Sequence, residues 1–357
     1  MSWILAATLF SFIRLFGVEE ESSFSLVDSG IKIGELILVQ GIIVGIAFGL
    51  GFGLLDLLLE GKWLRKYSYW AIIVFRTIVH IVFTIILLST SILVVHIWMG
   101  DPLNETAWEL LIETLSTRTA LVILVYTGVV SILFNLIRQM NAMFGPGILF
   151  KIIIGKYHRP QEENRIFMFL DLKSSTTYAE RLGHILYSEL IQDCFYDLTD
   201  TVQQHNVEIY QYVGDEAVLT WRIQDGMLKN HCLEAFFSFE DTIQRRANYY
   251  FNKYDLVPAF KAGVNLGLVM AAEVGVIKKE IAYHSDVLNT AARIQGECNR
   301  LGKPLLISQA VLDQMPNNNG FVVENVGEVS LKGKQQRINL YSVSKKESVE
   351  HLYEFSE

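Results

Sequence analysis

Arg165-Ile166-Phe167-Met168-Phe169-Leu170-Asp171-Leu172-Lys173-Ser174-Ser175-Thr176 is the stretch whose reading decides the fold. Its apolar run, Ile166 to Leu170, is the length of a buried strand, and the hydroxyl-rich residues after Asp171 open a helix. Outward from it, the spacing predicts a helix over about 175–205 and two strands, Val207–Val213 and Glu216–Arg222, turning at Gly214-Asp215. A helix over about 229–252 follows, then a strand Phe260–Val274, a short strand near 280 and a helix over about 287–300. Closing strands are expected around 304–307, 321–331 and 338–344. Strand-helix-strand-strand-helix-strand is the split arrangement of ferredoxin-like sheets, so this part of the chain is α+β.

The rest of the 357 residues has a different character: 51% of the chain is hydrophobic, and the apolar residues concentrate before about 155. Residues 36–59, about 70–99, and 119–137 are each long and apolar enough to cross a hydrocarbon core of about 30 Å. The shorter segment Trp3–Val18 carries Arg14 and reads as a signal peptide, an interfacial helix or a further span; it lacks a basic start and a small-residue cleavage site. Lys62, Arg65 and Lys66 follow the second segment and Arg138, Lys151 and Lys156 the last, whereas the loops at 19–35 and 100–117 are predominantly acidic. Because basic residues accumulate on the cytoplasmic side, those signs fit four spans with both termini inside, or three if the first segment lies at the interface. Gly41, Gly45, Gly49 and Gly53 form a small-residue stripe for close helix packing. Asp56, Arg76, His80 and His96 lie within or at the ends of spans, and Arg76 and His80, one turn apart, read as a structural pair.

The domain plan is therefore an α-helical transmembrane bundle at 1–138, a connector at 139–164 broken by Gly145, Pro146 and Gly147, the α+β domain at 165–345, and a tail at 346–357. A net charge of −8 opposes a general nucleic-acid binder, since a phosphate backbone needs a basic surface. Cys194, Cys232 and Cys298 show neither metal-ligand spacing nor the paired pattern of a disulfide framework, and read as free thiols in a reducing compartment.

Two carboxylates carry the candidate chemistry. Asp171 ends a strand just before a helix N-terminus, where unpaired N–H groups and the dipole favour phosphate. Asp215 sits on the hairpin turn; if the two strands are neighbours, both carboxylates meet at one sheet edge, the usual way of holding magnesium or manganese together with substrate phosphates. Taken singly, each is an ordinary cap or turn aspartate.

The pair gains weight because residues 165–344 resemble the catalytic domain of the class III adenylyl and guanylyl cyclases. A strand ending Asp171-Leu172 and the hairpin Gly214-Asp215 match that family's metal-binding positions, so the resemblance implies Asp171, its neighbour Leu172 and Asp215 as the metal set, for two Mg2+ or Mn2+ ions per site. The block Val287-Leu288-Asn289-Thr290-Ala291-Ala292-Arg293 matches the family's Val-Asn-x-Ala-x-Arg helix in its later residues. It implies that Asn289 orients the ribose and Arg293 stabilises the transition state. Asn289 and Arg293 are one helical turn apart and share a face. Ser174, Ser175 and Thr176 are phosphate candidates by their place at the helix N-terminus, and Leu331-Lys332-Gly333-Lys334 resembles the family's late lysine block, which implies Lys332 as a contact to the terminal phosphates.

In that family the metal aspartates and the Asn-Arg pair of one site come from different subunits. The resemblance thus implies a homodimer that converts a nucleoside triphosphate into a 3′,5′-cyclic nucleotide and pyrophosphate, anchored in a lipid membrane with its catalytic domain in the cytoplasm. The base-reading positions are Gln211 and Ala282, neither standard pair of the family. A glutamine amide can serve adenine or, flipped, another base, so ATP is favoured by family prevalence while GTP and pyrimidine triphosphates stay open. A catalytically silent sensor is the rival from another class; the intact quartet Asp171, Asp215, Asn289 and Arg293 argues against it. An enzyme joining two nucleoside triphosphates would carry a Gly-Gly-Asp/Glu-Glu-Phe turn where this chain reads Val213-Gly214-Asp215-Glu216-Ala217.

Overall fold

The computed structural model describes residues 3–6, 8–9, 33–59, 67–98, 108–109, 112–113, 115–145, 147–316, 320–330 and 337–346 of the chain. The chain divides into two compact units, Met1–Phe144 and Gly145–Glu357.

In the first unit the three expected apolar segments correspond to helices α1 (Ile33–Leu58), α2 (Tyr69–Trp98) and α3 (Arg118–Phe144). Among the described residues Tyr69–Thr90 and Ala120–Met143 are long and apolar enough to cross a membrane; in α1 the apolar stretch Phe48–Leu58 is shorter than a span. Most of the segment Trp3–Val18 lies outside the described residues. Ile78, Val82 and Ile86 on α2 and Leu121, Val125 and Val129 on α3 are exposed, while Asp56, Thr77, His80, Thr84, Ser131 and Asn135 are buried. Water-soluble bundles place these classes the other way round.

The buried polar groups satisfy one another across helices. Asp56 accepts from Arg138 Nη2 at 2.8 Å and from Trp3 Nε1 at 3.3 Å. His80 Nε2 lies 3.4 Å from Asp56 and its Nδ1 is hydrogen-bonded to Ser131 Oγ at 2.7 Å. The expected pairing of Arg76 with His80 is thus replaced: Arg76 donates to the Leu59 carbonyl at 3.3 Å, and the histidine turns to the carboxylate. A second cation beside a histidine offers no acceptor, whereas Asp56 does. The side chain of His96 lies outside the described residues. In the glycine stripe, a methyl at Gly49 would come within 2.3 Å of Ile4, but one at Gly53 would meet nothing within 4 Å.

The second unit begins with the short helix α4 (Ile148–Ile153), set off by positive φ at Gly145 and Gly147. Strand β1 (Gln161–Leu172) starts five residues before the apolar run and is central in an eight-stranded sheet. Helix α5 (Ser175–Gln204) leads to β2 (Glu208–Val213) and β3 (Glu216–Arg222). The expected helix over 229–252 is two, α7 (His231–Arg245) and α8 (Ala247–Tyr254), because Arg246 leaves helical geometry at φ −100° and ψ 13°; a short α6 (Ile223–Met227) precedes them. Then come β4 (Phe260–Val274), β5 (Glu280–His284), α9 (Asp286–Leu301), β6 (Leu305–Ser308), the unanticipated α10 (Gln309–Gln314), β7 (Phe321–Val329) and β8 (Ile338–Lys345).

The strand order is β2-β3-β1-β4-β6-β8-β7, with β5 paired to β4. β1 runs antiparallel to both neighbours, β3 and β4, so the first four strands have the ferredoxin-like order. Alternation along β1 sends Ile166, Met168, Leu170 and Leu172 into a core with α5, α7 and α8. Phe167 and Phe169 point the other way, into a smaller cluster with Ala291, Val287 and Leu288 of α9. The sheet is therefore covered on both faces, and the odd-numbered residues of β1, Asp171 among them, share the α9 face. Gly263 permits that layer: a methyl there would lie 2.2 Å from the Gln295 backbone nitrogen on α9.

Candidate active site

Asp171 reaches its position because β1 is flanked on both sides. Its cross-strand partner on β4 is Lys261, and its partner on β3 is Glu216. Directly opposite residues of an antiparallel pair bring their side chains together on one face. Lys261 Nζ accordingly lies 3.2 Å from Asp171 Oδ2, and Gln295, on the sheet side of α9, donates to the same oxygen at 2.7 Å. The hairpin places Gly214-Asp215 between Val213 and Glu216, which pair; Gly214 takes the positive φ of 63° that such a tight turn requires.

Three carboxylates, Asp171, Asp215 and Glu216, thus gather at one end of β1, and among the described residues Lys261 pairs with Asp171. Burial raises the Asp171 carboxyl above its ordinary pKa and Asp215 adds to the rise, while Lys261 opposes it. Burial, then the charges of Asp171 and Asp215, push Glu216 up to about 7. Asp215 Oδ2 is buried without a hydrogen-bond partner among the described residues. A buried, unpaired carboxylate oxygen within an excess of negative charge fits a hard divalent cation. Among the described residues no three His, Cys, Asp or Glu side chains form a complete cage, so further ligands would have to come from elsewhere, as they do where substrate phosphates share the metal. Leu172 buries its side chain in the main core, so only its backbone carbonyl could join the set.

The segment Ser174-Ser175-Thr176 lies beside this cluster. Ser174 turns the chain with φ 58°, ψ 28° and makes no side-chain cap, so the first N–H groups of α5 are left uncapped by it. The helix is kinked at Gly183, whose φ 71° and ψ 171° are not helical.

Asn289 and Arg293 stand on α9, capped by Ser285 Oγ accepting from the Val287 N–H at 3.2 Å. Asn289 is exposed and Arg293 half-buried. Ala291, Ile294 and Cys298 face the sheet with Gln295. Since Arg293 and Gln295 are two residues apart, about 200° separates them around the helix axis. The Asn-Arg face therefore turns away from the aspartates of its own chain, and these two halves of the expected site are not brought together within one protomer.

Gln211 is exposed on β2, just after a register shift, and Ala282 is half-buried on β5 opposite Ala272. Their neighbours Tyr210 and Tyr283 meet edge to face with ring centres 5.1 Å apart. Lys332 lies outside the described residues.

Lys261, Gln295 and Glu216 are the site residues that the sequence reading missed. A lysine inside the otherwise buried strand Phe260–Asn265 and a glutamine on the buried face of α9 are the signals that could have found them, since buried polar groups need partners.

Residues 158–345 match the family model described as the adenylate and guanylate cyclase catalytic domain. Adenylate cyclase 2 of Rhizobium meliloti (strain 1021) is 31% identical over 222 residues, 62% of this chain and 61% of that protein. This chain therefore spans less than two thirds of that relative's length. Two solved structures, each of a bacterial light-regulated adenylyl cyclase, share the fold at 17% identity. One has a TM-score of 0.52 over 60% of this chain and 63% of its own, the other 0.54 over 66% and 69%.

Proposed function

The chain belongs to the adenylate and guanylate cyclase catalytic domain family, and from that premise we propose that it converts a nucleoside triphosphate, ATP in the first place, into the 3′,5′-cyclic nucleotide and pyrophosphate. The observation that carries this reading is the under-neutralised carboxylate cluster beside the N-terminus of α5, with Asp215 Oδ2 buried and unpaired.

Asp171 and Asp215, with the Leu172 carbonyl, would hold Mg2+ or Mn2+. Bound there, the cations would lower the pKa of the ribose 3′-hydroxyl and offset charge on the departing pyrophosphate. The remaining work falls to the chain. The N–H groups and hydroxyls of Ser174, Ser175 and Thr176 receive phosphate oxygens, aided by the helix dipole, and Lys332 meets the terminal phosphates. Asn289 orients the ribose so that the 3′-oxygen attacks the α-phosphorus in line as the bond to pyrophosphate breaks. Arg293 stabilises charge that develops on the α-phosphoryl oxygens.

The site is shared between two copies of the chain. The outward Asn289-Arg293 face of α9 supports this, because the pair can serve a nucleotide held by Asp171 and Asp215 only from a second protomer. The first unit anchors the dimer in a membrane, on the support of two helices of spanning length with apolar exteriors and buried polar contacts. The catalytic domain then lies in the cytoplasm.

The test is to incubate the purified full-length protein with Mn2+ and, separately, ATP, GTP, CTP and UTP, and to identify products by mass spectrometry. Cyclic AMP from ATP is the expected outcome. A different single cyclic nucleotide would reassign what Gln211 and Ala282 read, and no cyclic product from a folded dimer would replace the enzyme reading with that of a nucleotide-binding signalling module.

A further inference from the structure

Toward the opposite end of β1 from Asp171, six residues before it, Arg165 is completely buried. Its Nε donates to Glu163 Oε2 at 2.7 Å and its Nη1 to Glu208 Oε2 at 2.9 Å. Nη2 has no hydrogen-bond partner among the described residues, and the guanidinium carbon stands 4.7 Å from the centre of the Tyr283 ring. A desolvated cation against an aromatic ring is a favourable contact of fixed geometry, and the planar fork cannot swing without breaking its two carboxylate bonds.

These contacts reach two strands that the sheet itself does not join. Glu208 begins β2, which pairs with β3, and Tyr283 lies on β5, which pairs with β4. In the strand order, β3, β1 and β4 separate them. Yet Tyr210 of β2 and Tyr283 of β5 touch at 5.1 Å, and both rings pack on Phe167, at 6.3 and 5.4 Å. β5 is five residues long and has one sheet neighbour, so its placement over this face depends on what holds Tyr283. The residues next to these tyrosines are Gln211 and Ala282.

We infer that Arg165 is a positioning residue for nucleobase selection, which fixes β2 through Glu208 and β5 through Tyr283 and so sets the gap between Gln211 and Ala282. The inference rests on the cyclase reading for the roles of those two positions. On this inference the spacing of the two base-reading positions is built by side chains behind them, so alanine at one of them does not remove it. The carboxylates that grip Arg165 are themselves held by the connector. Lys151 of α4 donates to Glu208 at 3.1 Å, and Lys156 and the Tyr157 hydroxyl each donate to Glu163 at 2.9 Å. The connector therefore bears directly on the groups that fix the base edge.

The test compares full-length wild type with Tyr283→Leu, Tyr283→Phe and Arg165→Lys, all as verified dimers, reading kcat and KM for ATP and GTP with Mn2+. Tyr283→Leu removes the ring face and Arg165→Lys the fork. Each is expected to change the ratio of kcat/KM for ATP to that for GTP about tenfold, mainly through KM. Tyr283→Phe keeps the ring and should stay within about twofold of wild type. An equal loss for both nucleotides, or an unchanged ratio, would overturn the inference; Tyr283→Leu decides the matter if Arg165→Lys fails to fold. If wild type forms no cyclic product, the cyclase reading falls separately, and calorimetric affinities for ATP and GTP with Mn2+ decide by the same ratio.

Discussion

The two ends of β1 carry dense charge clusters on the same face of the sheet, and they are built on opposite rules. At the Arg165 end one buried cation lies between Glu163 and Glu208, and both acids are held in turn by Lys156 and Lys151. Although burial alone would raise it, hydrogen bonds from Arg165 and Lys156 hold the Glu163 carboxyl at about 2. At the Asp171 end three acids meet one lysine, Asp171 and Glu216 are raised, and an oxygen of Asp215 is left over. A compensated cluster fixes structure. An uncompensated one costs stability, and is where positive charge from outside can be received.

The largest effect that could break this contrast is on activity. Asp171→Ala and Arg293→Ala should each lower turnover about 10³-fold or more, with Asp171→Ala leaving the melting temperature unchanged or raised. Mixed in equal amounts, the two inactive proteins should recover roughly a quarter of wild-type activity, since half the dimers are mixed and each has one intact site. No recovery in verified mixed dimers would refute the shared site.

The other end predicts a loss of stability instead. Glu163→Ala leaves the buried Arg165 with half its pairing and should cost about 3 kcal/mol in denaturant unfolding. The sign in pH follows from the depressed carboxyl: its contribution is present above the ordinary value of 4.5 and is lost as pH falls toward about 2. Wild type and variant should therefore converge in acid; a gap that persists at low pH would assign the loss to packing.

Metal should sharpen the contrast. At about 100 times its Kd, Mn2+ should stabilise the protein by about 2.7 kcal/mol, measured as a rise in melting temperature that Asp171→Asn abolishes. The rise should be larger at pH 8 than at pH 6, because Glu216 is protonated below about 7 and the cluster then attracts a cation less. Equal shifts at both pH values would remove Glu216 from the cluster.

The smallest effect is Glu216→Gln without metal. A folded-state value raised from 4.5 to about 7 means that this acid contributes stability below 4.5 and loses it as pH rises through 7. The neutral amide escapes that loss, so the variant should be more stable than wild type above pH 7 by on the order of 1 kcal/mol. A destabilised variant at pH 8 would show that the charge of Glu216 is compensated after all.

Much of the frame was legible in the residues. The apolar run before Asp171, the Gly214-Asp215 turn, the long strand Phe260–Val274 and the helix bearing Asn289 and Arg293 all lie where local pattern put them, because period, length and turn chemistry are properties of neighbouring residues. The break at Arg246 was not legible. Nothing near 246 resembles a helix stop, and the partner that Arg246 takes, Asp197, lies on α5, far away in the sequence. The polar pairs of the first unit were misread for a related reason: Arg76 and His80 are one turn apart, but the acceptor that His80 takes, Asp56, belongs to another helix.

The sequence by itself determined the elements, the two candidate aspartates, and the fact that Asn289 and Arg293 share a helical face. Only the tertiary structure decided which way that face turns, and that it turns from the aspartates of its own chain. It alone decided, too, that Lys261 and Gln295 hold Asp171 while Asp215 keeps an unpaired oxygen, and that one arginine ties β2 to β5. The physical reason is range. A strand or a helix is set by residues a few positions apart, whereas compensation of a buried charge is a sum over groups that meet only when the sheet and its two helical layers close.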